Sequence, residues 1–174
     1  IRVPTWALVK ILALTFNRIG ETVKSRWQHV DFFARKWTIP GTLTKSGYPH
    51  VIYMSDELIA VLKILKKYQA IRGRSVFLFP SQKKHGAHIR PDSASDKVAS
   101  FAGFVWSAHD LRKFARTWTA DNKVQHQVAE YLLNHQLDFQ EKTYIQTTSG
   151  HLCREAWAMW GKYVESLASA SVRR

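Results

Sequence analysis

Residues 4–16, "PTWALVKILALTF", are apolar on nearly every face and broken by Lys10, which predicts a buried helix rather than an amphipathic one. The run falls short of the roughly 18 apolar residues of a membrane span and lacks the small-residue cleavage site of a signal peptide. "ETVKSRW" (21–27) continues helical, and "HVDFF" (29–33) and "KWTIP" (36–40) read as two short strands. "GTLTKSGYPHVIYM" (41–54) reads as strand–turn–strand, with the turn at Lys45-Ser46-Gly47. Ser55 then caps a helix over 56–68 whose stripe is Leu58, Val61, Leu62 and Leu65. "SVFLFPS" (75–81) is a short buried run ended by Pro80, and the polar, Gly/Pro-punctuated segment 81–96 predicts a mobile surface loop. Helices are expected at about 97–106, 109–121, 124–134 and 154–168. The stretch "DFQEKTYIQTTSG" (138–150) shows no apolar stripe and reads as a polar loop. Without internal repeat or long linker, the pattern predicts one α+β domain over 1–174: mainly helices, with a small antiparallel sheet of about three strands.

Composition supports a folded chain. Hydrophobic residues make up 45% of 174, including seven Trp and nine Phe, enough for a sizeable core. Lys and Arg number 26 against 13 Asp and Glu, a net charge of +13. The excess is uneven: 16 against 4 in residues 1–90, and 10 against 9 in 91–174. A basic half on an ordinary globular chain points to a polyanionic partner, nucleic acid before membrane. The single Cys153 excludes an internal disulfide and a cysteine-based zinc site, and it suits the reducing cytosol. The histidines show no metal-ligand spacing, so no metal or other cofactor is expected.

The candidate chemistry starts at "SAHDLRKFARTWTA" (107–120). His109 and Arg112 are three apart and share a helical face, behind which Leu111, Phe114, Ala115 and Trp118 form an apolar stripe. Taken singly, each polar residue around them has an ordinary reading. Arg18 and Glu21 make an i,i+3 ion pair, Lys45 is solvated in a turn, His135 is favoured at a helix end, and Tyr144 is half-exposed. Taken in order, "NRIGETVKSRWQHVDF", "WTIPGTLTKSGYPHVIYMSDEL", "VFLFPS", "HDLRKFARTW", "AEYLLNH" and "KTYIQT" make a pattern spanning nearly the whole chain. The chain thereby resembles the catalytic domain of the tyrosine recombinases, and more narrowly the phage and genomic-island integrases.

The resemblance implies roles for individual residues. Arg18 and Arg112 become the catalytic arginines, Lys45 the lysine of the sheet turn, and His109 the first histidine. His135 becomes the second, Tyr144 the nucleophile, and Glu21 the acidic support of Arg18. Asn134 stands where a small residue such as Gly is frequent, and Met54 where Pro is usual. It further implies DNA-binding domains upstream, so the chain is expected to be a fragment of a cytoplasmic, nucleoid-associated bacterial protein. Double-stranded DNA at attachment sites is the implied partner, engaged by a homotetramer, with the isolated domain mostly monomeric. Lys24, Arg26, Lys83, Lys84, Lys113 and Arg116 are the candidate DNA contacts. The helix bearing Trp157, Trp160 and Val164, with the tail 165–174, is expected to dock on a neighbouring protomer.

Physical chemistry makes sense of the set. Cutting DNA in this way needs charge on the non-bridging oxygens of a phosphorane, and two guanidinium forks supply it. A phenol of pKa about 10 can attack phosphorus and leave again, which keeps a phosphodiester throughout. The departing 5′ oxygen needs a proton, a role suited to Lys45. His109 can accept or shuttle the tyrosine proton, and His135 can hydrogen-bond the phosphate. Two other readings stand beside site-specific recombination: a relative that binds DNA without cutting it, and a type IB topoisomerase-like relaxation activity.

Overall fold

The computed structural model describes residues 3–135 and 139–171. Helix α1 (Val3–Thr15) lies at the centre, packed against α3 (Asp56–Arg72), α4 (Pro91–Phe101), α5 (Ala108–Asp121) and α8 (Gly150–Ser171). Neighbours on several sides explain its apolarity all round: Ala7, Leu8, Val9, Ile11, Leu12 and Leu14 are all buried. Lys10 escapes to the rim and pairs with Glu165 at 3.1 Å. Phe16 ends the helix with a φ of 59°, and the chain turns directly into α2 (Ile19–Lys24), with Arg18 in the capping position.

Strands β1 (Val30–Asp31), β2 (Lys36–Ile39) and β3 (His50–Tyr53) form an antiparallel sheet in chain order. Trp37 pairs with Ile52 and Ile39 with His50, so β2 turns Trp37 and Ile39 into the core and Lys36 and Thr38 out. The fold is therefore the expected α+β arrangement with a small three-stranded sheet. The expected strand at 41–44 does not form. Pro40 lacks an N–H, and Gly41–Leu43 wind into a single 3₁₀ turn instead. The loop then closes tightly: Thr44 Oγ1 donates to the Tyr48 carbonyl at 2.8 Å, and a Cβ at Gly41 would strike the Gly47 carbonyl oxygen. Gly41 thus allows the compact loop that carries Lys45.

In α3 the Ser55 hydroxyl caps the Leu58 N–H at 3.3 Å, and the predicted stripe is buried. Buried Gln69 accepts from Trp27 Nε1 at 2.9 Å and donates to the carbonyls of Phe77 and Leu78, which fastens the 75–80 run. The surface segment is shorter than expected, because α4 begins at Pro91 rather than near 97. Proline suits the first helical turn, where its missing N–H costs nothing. That helix ends at Phe101, and Gly103 and Phe104 both take positive φ.

Two further corrections concern the C-terminal third, where α6 (His126–Leu132), α7 (Phe139–Thr148) and α8 follow α5. Tyr144 lies on α7, not in a loop. Among the described side chains of α7 Ile145 is buried, and Gln146 donates to Tyr131 Oη at 3.0 Å. Helix α8 is longer than expected, and Trp157 and Trp160 are each 1% exposed. Trp160 donates to the Ala13 carbonyl at 2.6 Å and packs on Phe16, Phe114 and Trp118. The indoles expected to dock on a neighbour are built into the domain's own core. Each removes about 150–250 Å² from water, a contribution of several kcal/mol. Of the tail, residues 172–174 lie outside the described residues.

Candidate active site

Two guanidinium groups converge where α1, α2, α5 and α6 meet. Arg18, extended at the start of α2, directs Nη1 to Glu21 Oε1 and to the Asn134 carbonyl, both at 3.2 Å. The Glu21 carboxylate is 3% exposed; Oε2 accepts the Arg18 backbone N–H at 3.3 Å, and Oε1 accepts Asn134 Nδ2 at 3.4 Å. The acid is thus held by groups on both sides of the site and in turn fixes the Arg18 fork.

Arg112 rises from the second turn of α5, whose start is tied down by Asp110 accepting the backbone N–H and hydroxyl of Ser107 at 3.0 and 2.7 Å. Its guanidinium donates to the carbonyls of Phe16 and Leu133, the ends of α1 and α6. Terminal carbonyls of a helix lack intrahelical partners, so Arg112 satisfies both and joins three helices. Burial above all, and then the positive charge of Arg18, pull its guanidinium down to about 10; Glu21 and Glu130 act in the opposite sense. It stays cationic at neutral pH. Two cations so placed favour an anion between or beside them.

His135 follows α6. Its Nδ1 lies 2.6 Å from Glu130 Oε2, and its ring is 39% exposed. Asn134 before it has a φ of 48°, a left-handed conformation that explains a position suited to Gly and tolerated by Asn. Asn134→Gly and Asn134→Ala both lose the amide bond to Glu21, but only Ala is strained at this φ, so Ala should be less stable than Gly by about 1–2 kcal/mol in thermal unfolding. Equal stability of the two variants would show that the backbone there is unstrained.

The other candidate residues are not hydrogen-bonded into this cluster. Lys45 is exposed in the β2–β3 loop, and His109 is exposed in the first turn of α5. Tyr144 is 57% exposed on α7. Among the described residues, no side-chain hydrogen bond ties any of the three to Arg18, Arg112 or His135. Tyr131 is unsuited to nucleophilic work. It is 1% exposed, its hydroxyl donates to the Val51 carbonyl at 3.1 Å, and burial drives its phenol well above the usual range. Tyr163 stacks on Phe114 and Trp118.

Of the candidate DNA contacts, Lys83 and Lys84 are exposed in a turn whose backbone N–H groups both reach Ser81 Oγ, at 3.2 and 3.1 Å. Lys24 ends α2, and Arg26 lies over the Phe77 ring at 5.1 Å. Lys113 is paired with Asp110 at 3.3 Å and Arg116 with Glu130 at 3.0 Å. Glu130 is the site residue that sequence reasoning missed. No helix of the described residues is long and apolar enough to cross a membrane, and no cluster of His, Cys, Asp and Glu among them is placed to hold a metal ion.

The phage integrase family profile matches residues 1–151. Over 163 residues the chain is 29% identical to prophage integrase IntA of Escherichia coli K12, covering 91% of this chain and 38% of that protein. The chain thus spans less than half the length of this relative. Its fold is similar to that of an integrase from mycobacterium phage Brujita, with a TM-score of 0.72 at 21% identity over 91% of this chain and 52% of the other. It is also similar to the Tn1549 transposon integrase solved with circular intermediate DNA: TM-score 0.52, 15% identity, 81% of this chain and 53% of the other. With most of its length matched to one family and its fold shared with integrases, the chain belongs to the phage integrase family and is a tyrosine recombinase catalytic domain.

Proposed function

We propose that this domain performs the strand cleavage and rejoining of site-specific recombination, integrating or excising a mobile element through a 3′-phosphotyrosine intermediate. The convergence of Arg18 and Arg112, with His135 beside them, is the observation that carries the proposal. The two forks hold the non-bridging oxygens of the scissile phosphate and stabilise the charge that develops in the phosphorane. The Tyr144 oxygen attacks phosphorus, the bond to the 5′ oxygen breaks, and Lys45 delivers the proton that oxygen needs. His109 takes the phenolic proton. Attack by a 5′-hydroxyl of the partner strand reverses the step and releases Tyr144, so no external energy source enters. Two duplexes must exchange four strands, which fits a tetramer assembled on DNA at attachment sites, and these steps need no metal ion.

A complete polar set favours this over a DNA-binding relative that does not cut. The test is a nicked suicide substrate without divalent metal, on which the complete protein should accumulate a covalent adduct. A strict metal requirement would overturn the mechanism. Relaxation of a plasmid lacking any attachment site would favour the type IB topoisomerase-like reading instead.

DNA affinity of this chain alone should come mainly from sequence-independent phosphate contacts of its basic first half. Log K is then expected to fall linearly and steeply with log[salt], as counterions are released. A titration at several salt concentrations measures the slope; tight, sequence-specific binding that ignores salt would contradict it.

A further inference from the structure

Glu130 lies on α6, outside the residues assigned to the reaction, yet it meets two of the candidate groups at once. Oε2 is 2.6 Å from His135 Nδ1, and Oε1 is 3.0 Å from Arg116. The His135 backbone N–H also donates to the Glu130 carbonyl at 3.1 Å, so the chain leaving α6 folds back over the residue whose carboxylate it meets. The Glu130 side chain is 19% exposed, more shielded than the ring it holds. Its negative charge is also felt at Arg112.

A carboxylate only accepts hydrogen bonds, so the imidazole nitrogen facing it must carry the hydrogen. We infer that Glu130 is a positioning residue for the strand-transfer reaction: it fixes His135 with its proton on Nδ1 and leaves Nε2 as the ring's outward-facing atom. The inference rests on the proposed function above and assigns His135 a narrower part in it. With Nδ1–H committed to Glu130, neutral His135 presents a lone pair at Nε2 and can only accept there. It donates to a phosphate oxygen only after gaining a second proton there. His135 is thus a proton acceptor that becomes a phosphate donor, rather than a fixed neutral donor. Arg116, at the second carboxylate oxygen, sets the plane of Glu130 and through it the orientation of the ring. The same logic of a carboxylate fixing a histidine tautomer operates in hydrolase triads and in metal sites.

The test combines a spectrum with kinetics, on the complete protein. Two-bond proton–nitrogen correlation of 15N-histidine-labelled wild type, followed up the pH scale until the imidazole signals stop shifting, should show His135 with hydrogen on Nδ1 and a bare Nε2. Glu130→Gln keeps the size of the side chain, but its amide can donate or accept, so the His135 signals should shift toward the other tautomer. Single-turnover cleavage of the suicide substrate should then slow by roughly 10- to 100-fold, with DNA affinity nearly unchanged. A wild-type His135 protonated on Nε2 overturns the inference, and it needs no variant to fold. A Glu130→Gln protein that cleaves at the wild-type rate overturns it as well. Failure of the wild type to form any adduct overturns strand transfer instead, so the two failures are distinguishable.

Discussion

Tyr144→Phe is expected to abolish the covalent protein–DNA adduct while leaving the protein folded and bound to DNA. The substitution removes one oxygen from a side chain that is 57% exposed on α7 and keeps the ring. Stability should therefore change by no more than about 0.5 kcal/mol. The proposed phosphate ligands are on other elements, Arg18 at the start of α2 and Arg112 on α5, so a gel shift should persist. Only the oxygen proposed to attack phosphorus is lost. No other tyrosine of the C-terminal third is placed to replace it: Tyr131 is buried with its hydroxyl engaged by the Val51 carbonyl and Gln146, and Tyr163 is stacked among aromatic rings. On a nicked suicide substrate, wild type should accumulate a denaturant-resistant adduct and the Phe variant none. An adduct formed by Tyr144→Phe would move the nucleophile elsewhere. Peptide mapping of the wild-type adduct would then locate it.

The parts legible in the sequence were those whose cause is local. The all-round apolarity of α1, the Ser55 cap of α3 and the alternation of β2 each follow from neighbouring residues and appear in the structure at the expected places. The parts that were not legible depend on distant partners. Helix α7 shows no stripe: among its described side chains Ile145 is buried, and Gln146 donates to Tyr131 across to α6. The indole stripe of α8 was visible, but whether it met this domain or another depended on where α1 and α5 lie. The start of α4 differs in kind: Pro91 reads as loop punctuation, although proline is also at home in a first helical turn. The site divides in the same way. The three-residue spacing of His109 and Arg112 marked a shared helical face. The Glu130–His135 contact could not be read from spacing, because α6 stops at Leu132 and the chain doubles back through the left-handed Asn134.

Arg112 shows why function and stability should fall together in one variant. On the proposed function, Arg112→Ala is an activity mutation, removing one donor to the transition state at a cost of about 3–4 kcal/mol, or roughly 10²- to 10³-fold in adduct formation. The structure adds a second loss. Arg112 is 9% exposed and its guanidinium donates to the Phe16 and Leu133 carbonyls, so truncation leaves two helix-end carbonyls and a void at the junction of α1, α5 and α6. Each abandoned carbonyl costs about 1–3 kcal/mol. Part of this is offset, because burying the guanidinium beside Arg18 is itself unfavourable, the same effect that pulls Arg112 down to about 10. The net expectation is about 2–4 kcal/mol, a fall in Tm on the order of 10 °C for a chain of this size. Arg112→Lys should restore charge without the planar fork and recover little of either property. Cleavage measured well below the melting temperature of each variant separates the two effects. An Arg112→Ala protein with the wild-type Tm would show that the guanidinium supports neither carbonyl, and one that cleaves at the wild-type rate would remove Arg112 from the transition state.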